Sequence, residues 1–152
     1  MRRSQRPIVA DLEEQIGFQL RLAQLAVFND IIARLKACKL RPIDLSALIL
    51  IEAEPGLRQD VIGNRLKMAR PNVVALIDSL EERGLVERMM DDKDRRANQV
   101  RLTPRGSGIL TEGKHLQNEH RSRLLQALEG IDLANFMDGL TRLAELSPQV
   151  SD

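Results

Sequence analysis

The fold of this chain is decided by one stretch, residues 57–106, which reads LRQDVIGNRLKMARPNVVALIDSLEERGLVERMMDDKDRRANQVRLTPRG. Apolar residues recur at helical spacing in LRQDVIGNRL and again, after the linking residues KMA, in RPNVVALIDSLEERG. Pro71 in a first turn and Gly84 at the end are typical start and stop signals of a helix. Two short helices with a tight link predict a helix-turn-helix. The predicted inward faces are Leu57, Val61, Ile62 and Leu66 in the first helix and Val73, Leu76, Ile77 and Leu80 in the second.

After Gly84, two short and partly alternating runs, LVERMM and NQVRL, predict a β-ribbon, here called the wing (residues 85–102). Residues 93–105 carry five Lys or Arg against one Asp or Glu, and residues 58–105 carry eleven against eight. The whole chain has a net charge of only +1, so positive charge is concentrated at the wing. A merely solvated turn is the alternative, but it does not need that concentration. A basic ribbon after a helix-turn-helix predicts a winged helix, whose second helix enters a major groove while the ribbon reaches the minor groove.

The segment from residue 12 to about residue 39 is predicted to be one helix with apolar stripes on two faces. One stripe is Leu12, Ile16, Leu20, Ala23, Val27, Ile31 and Leu35, and the other is Phe18, Leu22, Leu25, Phe28 and Ile32. Because both faces must be buried, we expect a second subunit to cover one of them. Pro42 is predicted to end this helical region, and Asp44 to cap a second helix from Leu45 to about Ala53.

Two further helices are predicted after the wing. Thr103 and Pro104 start one that runs to about Glu129, and its nearly all-polar middle favours a bridge between packed regions. Asp132 caps the last helix, whose wide apolar face comprises Leu133, Phe136, Met137, Leu140, Leu143 and Leu146. The predicted fold is mainly α with a small β-hairpin wing (α+β), in one domain of residues 1–152. Residues 42–106 are the predicted winged helix-turn-helix DNA-binding region, and residues 8–40 and 107–147 the helical dimerisation region.

The sequence NRLKMARPNVVALIDSLEERGLVER followed by DDKDRRANQVRLTPRG resembles the multiple antibiotic resistance regulator (MarR) family of winged-helix transcription factors. The combination of LEERGLV, Asp-Arg-Arg and V-x-LT-x-x-G carries the resemblance, and the order of helices extends it over nearly the whole chain. The resemblance implies that Arg96 is the wing-tip arginine that enters the minor groove. It also implies that Asp94 orients the neighbouring arginine side chains.

Two departures from the family pattern affect the expected DNA contacts. Ser or Thr often opens each helix of the family's helix-turn-helix, whereas Arg58 and Ala69 stand here, and each missing cap costs on the order of 1 kcal/mol. The second helix is also poorer in polar and basic groups than is usual in the family. Val74 either touches a thymine methyl or packs on the helix surface. The predicted DNA-binding residues are Arg70, Asn72, Val74, Lys93, Asp94, Arg95 and Arg96.

The resulting functional prediction is a homodimeric, sequence-specific DNA-binding transcriptional regulator. Its partners would be a double-stranded, pseudo-palindromic operator, a second copy of the chain, and a small hydrophobic or aromatic anion that releases the repressor. The alternative is a winged-helix scaffold that binds proteins without sequence-specific DNA binding. Arg95 and Arg96 favour the regulator, because a scaffold does not need them on a ribbon that fits the minor groove.

By resemblance to the family, the effector is expected to bind where the dimerising helices meet the winged helix. Its predicted pocket wall is Phe18, Leu22, Leu25, Phe28, Leu45, Leu48, Ile49 and Leu116. Each of these side chains could equally belong to the plain core. Arg21, Arg34 or Arg41 is a candidate partner for a ligand carboxylate or phosphate.

Composition excludes several classes of protein. Aromatic residues make up 2% of the chain, with no Trp or Tyr, so a stacking platform for single-stranded nucleic acid is not expected. The single cysteine excludes an internal disulfide and a cysteine-based zinc site. No apolar run approaches the roughly 18 residues of a membrane span. The basic start, MRRSQRPIVADLEE, lacks the apolar core of a secretory signal. We therefore expect a cytoplasmic protein without a membrane partner.

Isolated reactive groups are assigned structural roles. Cys38 is expected to be a small buried side chain, with a peroxide-sensing thiol as the alternative. His115 and His120 are five residues apart, whereas metal pairs on helices prefer four, so solvated histidines are expected. The wing-tip aspartates lack the glycine and distant glutamate of a calcium loop. With no phosphate-binding glycine loop or Ser/His/Asp constellation, neither enzyme activity nor a cofactor is predicted.

Overall fold

A computed structural model describes residues 12–90 and 98–146 of the chain. Its helices are α1 (Ile16–Leu35), α2 (Pro42–Ala53), α3 (Gln59–Arg65), α4 (Arg70–Glu82), α5 (Pro104–Ala127) and α6 (Leu133–Ala144). Its strands are β1 (Leu57–Arg58), β2 (Val86–Met90) and β3 (Asn98–Leu102). The described residues up to His120 form one compact unit, and those from Arg121 onward form a second. The prediction of a mainly helical fold with a β-ribbon after a helix-turn-helix is confirmed.

Helices α3 and α4 form the predicted helix-turn-helix. The chain turns between them through Lys67, which has a left-handed φ of 55°, and the N–H of Met68 donates to the carbonyl oxygen of Gly63 at 2.9 Å. Gly63 also allows a close approach of the helices, because a Cβ there would lie 3.0 Å from Cγ1 of Val73. After α4, Gly84 has a φ of 68°, as its predicted stop role requires. The four predicted inward side chains of α4 are all buried: Val73, Leu76, Ile77 and Leu80.

The prediction that a helix begins at Leu57 is wrong, because Leu57–Arg58 forms strand β1 and pairs antiparallel with Val100 and Gln99 of β3. Gly56 directs the chain into this pairing, with a φ of 85° and an N–H that donates to the carbonyl oxygen of Val100 at 3.2 Å. The wing is therefore not an isolated hairpin. It belongs to a three-stranded sheet in the order β1-β3-β2.

The two helices before this unit begin and end at different residues than predicted. Pro42 starts α2 instead of ending the preceding helical region, because a proline fits the first helical turn, where its missing N–H is not needed. Asp44 is consequently the third residue of α2 and not its N-cap, although its carboxylate still accepts a hydrogen bond from the backbone N–H of Arg41 at 3.0 Å. Helix α1 ends at Leu35, and Lys39 in the connection has a left-handed φ of 56°.

The motif V-x-LT-x-x-G joins the wing to α5. The hydroxyl of Thr103 donates to the carbonyl oxygen of Gly84 at 2.6 Å and accepts from the N–H of Gly106 at 2.9 Å, so Thr103 caps α5 as predicted. Gly106 lies directly against the start of β2, since a Cβ at this position would be 1.8 Å from the carbonyl oxygen of Leu85. The small and polar residues of the motif therefore hold the base of the wing against α5.

The core of the first unit is aliphatic and joins α1, α2, the helix-turn-helix, the sheet and α5. Its largest fully buried apolar side chains are Leu35, Leu48, Ile51, Ile62, Val73, Ile77, Leu80, Val86, Val100 and Leu110. This core fixes the inward face of α4 and leaves the opposite face available.

Large apolar side chains are exposed in two places. Within the described residues, all of them except Met89 and Leu125 lie in segments 12–32 and 131–146. Helix α6 has no buried residue, and its N-cap is Asp132 as predicted, with the carboxylate accepting from the N–H of Asn135 at 3.1 Å. Within the described part of the chain, no helix combines the length and apolar character that a membrane crossing requires.

Candidate nucleic-acid interface

Helix α4 presents the predicted reading residues on its outer surface. Arg70 and Asn72 in the first turn are exposed, and Val74 is half-buried. The N-cap, Ala69, makes no side-chain hydrogen bond to the helix, as expected from the family departure. The outer face of α4 is thus free to enter a major groove, while its inner face is held in the core.

Arg88 ties the wing to α4 and α3, a role that the sequence reading missed. Its guanidinium forms ion pairs with Asp78 and Glu81 of α4, and its Nε donates to Oε1 of Gln59 at 3.3 Å. The backbone N–H of Arg88 also donates to Oε1 of Glu81 at 3.1 Å. Two charge-assisted contacts to one helix fix the angle between strand β2 and α4. A signal was available: Arg88 shares a strand face with buried Val86, and an arginine in that position needs carboxylate partners.

The wing ribbon is paired up to its ends, from Val86 opposite Leu102 to Met90 opposite Asn98. The predicted contact residues of its tip, Lys93, Asp94, Arg95 and Arg96, lie outside the described residues. Their roles stay predictions, made from the sequence and the family resemblance.

A second group of charges lies at the other side of α4. The carboxylate of Asp44, which is 1% exposed, accepts from Nη2 of Arg41 at 2.7 Å and from Nη1 of Arg83 at 3.1 Å. Arg83 also donates to the carbonyl oxygen of Lys39, so the end of α4 is bound to the start of α2. Burial alone would raise the pKa of Asp44, but the hydrogen bonds and charge of Arg41, with a further hydrogen bond from Arg83, lower that pKa below its usual value. The carboxylate is therefore charged at neutral pH and holds both arginines.

A polar cluster joins α1 to α5. Asp30 accepts from Nε of Arg34 at 2.9 Å and lies 2.7 Å from Nδ1 of His120, and Nη1 of Arg34 donates to Glu119 at 2.8 Å. The prediction of a solvated histidine is wrong for His120, which is 7% exposed, because half-buried Asp30 supplies a partner from a helix 90 residues away. His115 is exposed, as predicted. Among the described residues, no three His, Cys, Asp or Glu side chains come together as metal ligands would.

Cys38 has the environment of a core residue. The side chain is 5% exposed, and its Sγ–H donates to the carbonyl oxygen of Leu35 at 3.4 Å. Burial raises the pKa of the thiol, so the reactive thiolate is disfavoured. The structure supports the expected structural role over the peroxide-sensing alternative.

The predicted pocket residues divide into two sets by exposure. Leu45 and Leu48 are buried in the core, and Ile49 and Leu116 are half-buried against it. On α1, Phe18 is half-buried, whereas Leu22, Leu25 and Phe28 are 43%, 47% and 48% exposed. Of the predicted cationic partners, Arg34 is already bound to Asp30 and Glu119, and Arg41 to Asp44. Among the predicted pocket residues, the accessible apolar surface is therefore provided by those of α1.

Known proteins match this chain over the same elements. The MarR family model matches residues 39–97. The transcriptional repressor CouR bound to a 23-mer DNA duplex is 36% identical, with a TM-score of 0.78 over 91% of this chain and 96% of that chain. CouR bound to p-coumaroyl-CoA is 33% identical, with a TM-score of 0.79 over 90% and 96%.

A more distant likeness agrees in fold. The PcaV transcriptional regulator from Streptomyces coelicolor, in complex with its natural ligand, is 24% identical, with a TM-score of 0.78 over 90% of this chain and 96% of that chain. The helix-turn-helix, its wing and the flanking helices are thus shared over nearly the full length of both chains. Together with the identity to CouR, this places the chain in the MarR family of winged-helix transcriptional regulators.

Proposed function

We propose that this chain is a homodimeric transcriptional repressor that binds a pseudo-palindromic DNA operator and is released by an aromatic acyl ligand. The observation that carries the DNA-binding part is the orientation of α4: Arg70 and Asn72 are exposed on a helix whose opposite face is locked into the core. CouR, at 36% identity, has been solved bound to a DNA duplex, which supports binding of duplex DNA by this chain.

The homodimer is proposed from the exposed apolar faces. Helix α1 exposes Ile16, Leu20 and Ile32, and α6 exposes Phe136 and Met137. Contiguous exposed apolar faces mark protein interfaces. A two-fold axis through such an interface would present two copies of α4, and an operator with half-sites about one helical turn apart would match them.

The DNA-binding proposal is tested with fragments of the source genome selected by the purified protein. We expect a pseudo-palindromic operator to be recovered, and Arg96→Ala to weaken its binding by about 1–3 kcal/mol because the arginine would read the minor groove. Arg70→Ala should weaken binding in the same range. Fluorescence anisotropy with the selected duplex measures both effects, and Arg142→Ala on α6 removes the same charge as a control.

Two outcomes would contradict parts of this proposal. Unchanged operator binding by both Arg96→Ala and Arg70→Ala would show that the wing and α4 are wrongly placed on DNA. Recovery of no preferred sequence would favour the scaffold alternative.

The ligand is proposed to bind against the accessible surface of α1, at Phe18, Leu22, Leu25 and Phe28. Ile49 and Leu116 would border the site, while Leu45 and Leu48 would support it from the core. Arg21 lies three residues after Phe18 and four before Leu25, so it shares a helix face with them and is the proposed partner of a ligand anion. CouR, at 33% identity, binds p-coumaroyl-CoA, which supports an aromatic acyl thioester as the ligand class.

An aromatic acyl thioester is expected to lower operator affinity at least tenfold, or about 1.4 kcal/mol of coupling. The ligand must favour a spacing of the two α4 helices that does not fit the operator, because equal affinity for both spacings would release nothing. The measurement is operator anisotropy during titration with p-coumaroyl-CoA, with free p-coumarate and acetyl-CoA separating the aromatic and nucleotide parts. Phe28→Ala should keep DNA binding and lose the response. Thioesters that bind without changing DNA affinity would favour a ligand-independent repressor.

A further inference from the structure

A groove of about 310 Å³ follows one side of α4, the side away from Arg88 and the wing. It lies between α4 and the start of α2, and its polar lining is mixed with small and apolar side chains. Its lining includes Asn72, Ala75 and Ser79 of α4, Met68 of the preceding turn, and Arg41 and Ile43 at the start of α2.

Two ion clusters that flank α4 carry opposite net charge. On the wing side, one arginine, Arg88, lies between the carboxylates of Asp78 and Glu81. On the groove side, one carboxylate, that of Asp44, lies between Arg41 and Arg83, so this cluster carries one net positive charge. The cluster of Asp44 therefore favours an anion beside the groove.

This cluster holds Arg41 in place but leaves part of its guanidinium available. Its bonds to Asp44 run through Nε and Nη2, at 3.0 Å and 2.7 Å. Among residues 12–90 and 98–146, Nη1 of Arg41 donates no hydrogen bond. The side chain of Arg41 is 61% exposed. A guanidinium fixed at one edge with its other edge open is suited to bind an oxyanion without losing further side-chain entropy.

The dimensions of a helix and of B-DNA identify the anion that would lie beside Arg41. A helix with its side chains is about 10–12 Å across, and the major groove of B-DNA is about 12 Å wide. A helix seated in that groove therefore has a row of phosphates along each side. We infer that the groove beside α4 holds a phosphate of the DNA backbone, bound by the guanidinium of Arg41 and by the polar side chains of Asn72 and Ser79. The inference rests on the proposed DNA-binding function and adds Arg41, a residue outside both the helix-turn-helix and the wing.

The test is the salt dependence of DNA binding by the full-length protein. Each phosphate contact contributes about 0.9 to the slope of log affinity against log salt concentration, so Arg41→Ala should reduce the slope by about two per dimer. Arg41→Lys should keep most of the slope, because it keeps the charge. Arg142→Ala, which removes an exposed arginine of α6, is the control for net charge and should leave the slope unchanged.

Because Arg41 also binds Asp44, its removal breaks that ion pair as well, and thermal unfolding is measured alongside each titration. If Arg41→Ala does not fold, Ser79→Asp tests the same groove without touching that ion pair, and it should weaken binding more than Ser107→Asp on α5. A folded Arg41→Ala protein with weaker binding but an unchanged slope would overturn the inference and assign Arg41 a structural role. Failure of the wild-type protein to bind any duplex would instead refute the proposed function itself.

Discussion

Replacing Phe136 and Met137 together by aspartate is expected to convert the protein from a dimer to a monomer at micromolar concentration. The two side chains are 38% and 53% exposed in the single chain, so a second subunit can bury further apolar surface on both. Full burial of such a side chain contributes about 1.5–3 kcal/mol, but only the exposed part of each is left to bury in a dimer, and two-fold symmetry counts each side chain twice. The double variant therefore removes roughly 3–5 kcal/mol, on the order of a 10²–10⁴-fold rise in the dissociation constant of the dimer.

Loss of the dimer should also cause loss of operator binding. A monomer reads one half-site, and linking two half-site contacts in one molecule strengthens binding by about 10²–10⁴-fold. Sedimentation velocity measures the assembly state, and anisotropy with the selected operator measures the affinity. Both should change in the same variant, while far-ultraviolet circular dichroism shows whether the helices remain.

A matched control lies on the same helix. Asp138 and Arg142 form an ion pair at 2.9 Å, and both are mostly exposed. Exchanging them, as Asp138→Arg with Arg142→Asp, also changes two charges but keeps the pair and leaves the apolar residues in place. This variant should remain dimeric and bind the operator normally. A dimer of unchanged stability in the Phe136→Asp and Met137→Asp double variant would refute the proposed role of α6.

Elements whose signals are local in sequence could be predicted. Helix α4 follows from the spacing of its four buried residues, from Pro71 in its first turn and from Gly84 at its end. Asp132 caps α6 through a contact only three residues away, which sequence spacing alone specifies. Thr103 caps α5 in the same way. The face of α4 that is proposed to read DNA follows from the same periodicity, because it is the face that the core does not use.

Features that depend on distant partners could not be predicted in the same way. Leu57 forms a strand only because Val100 lies opposite it, and helical spacing alone favoured the wrong element. His120 is buried because Asp30 faces it across 90 residues, and Arg83 reaches Asp44 across 39. Sequence spacing within one helix contains no information on such pairs. The groove beside α4 is likewise formed by two elements, so neither element shows it alone.

Gly106→Ala is expected to destabilise the protein by about 3 kcal/mol or more, although the change adds one methyl group. The new Cβ would lie 1.8 Å from the carbonyl oxygen of Leu85, and a Cβ has no rotamer by which to avoid a backbone atom. Either α5 or the start of β2 must move by more than an ångström. That carbonyl also accepts from the N–H of Thr103 at 3.1 Å, so displacement adds a lost hydrogen bond to the strain of overpacking. Urea unfolding at neutral pH measures the loss.

Gly108→Ala, two residues further along α5, is the matched control. No atom lies within 4 Å of a Cβ at that position, so alanine should raise stability by up to about 1 kcal/mol through its better helix propensity. The two substitutions are expected to change the free energy of unfolding in opposite directions. This difference separates the effect of close packing from that of helix propensity. The contact between Gly106 and Leu85 also fixes the base of the wing. The folded fraction of the Gly106→Ala protein should therefore bind DNA more weakly than the Gly108→Ala protein does. Equal stability of the two variants would show that the contact between Gly106 and Leu85 is looser than described, and that the final glycine of V-x-LT-x-x-G does not hold the wing in place.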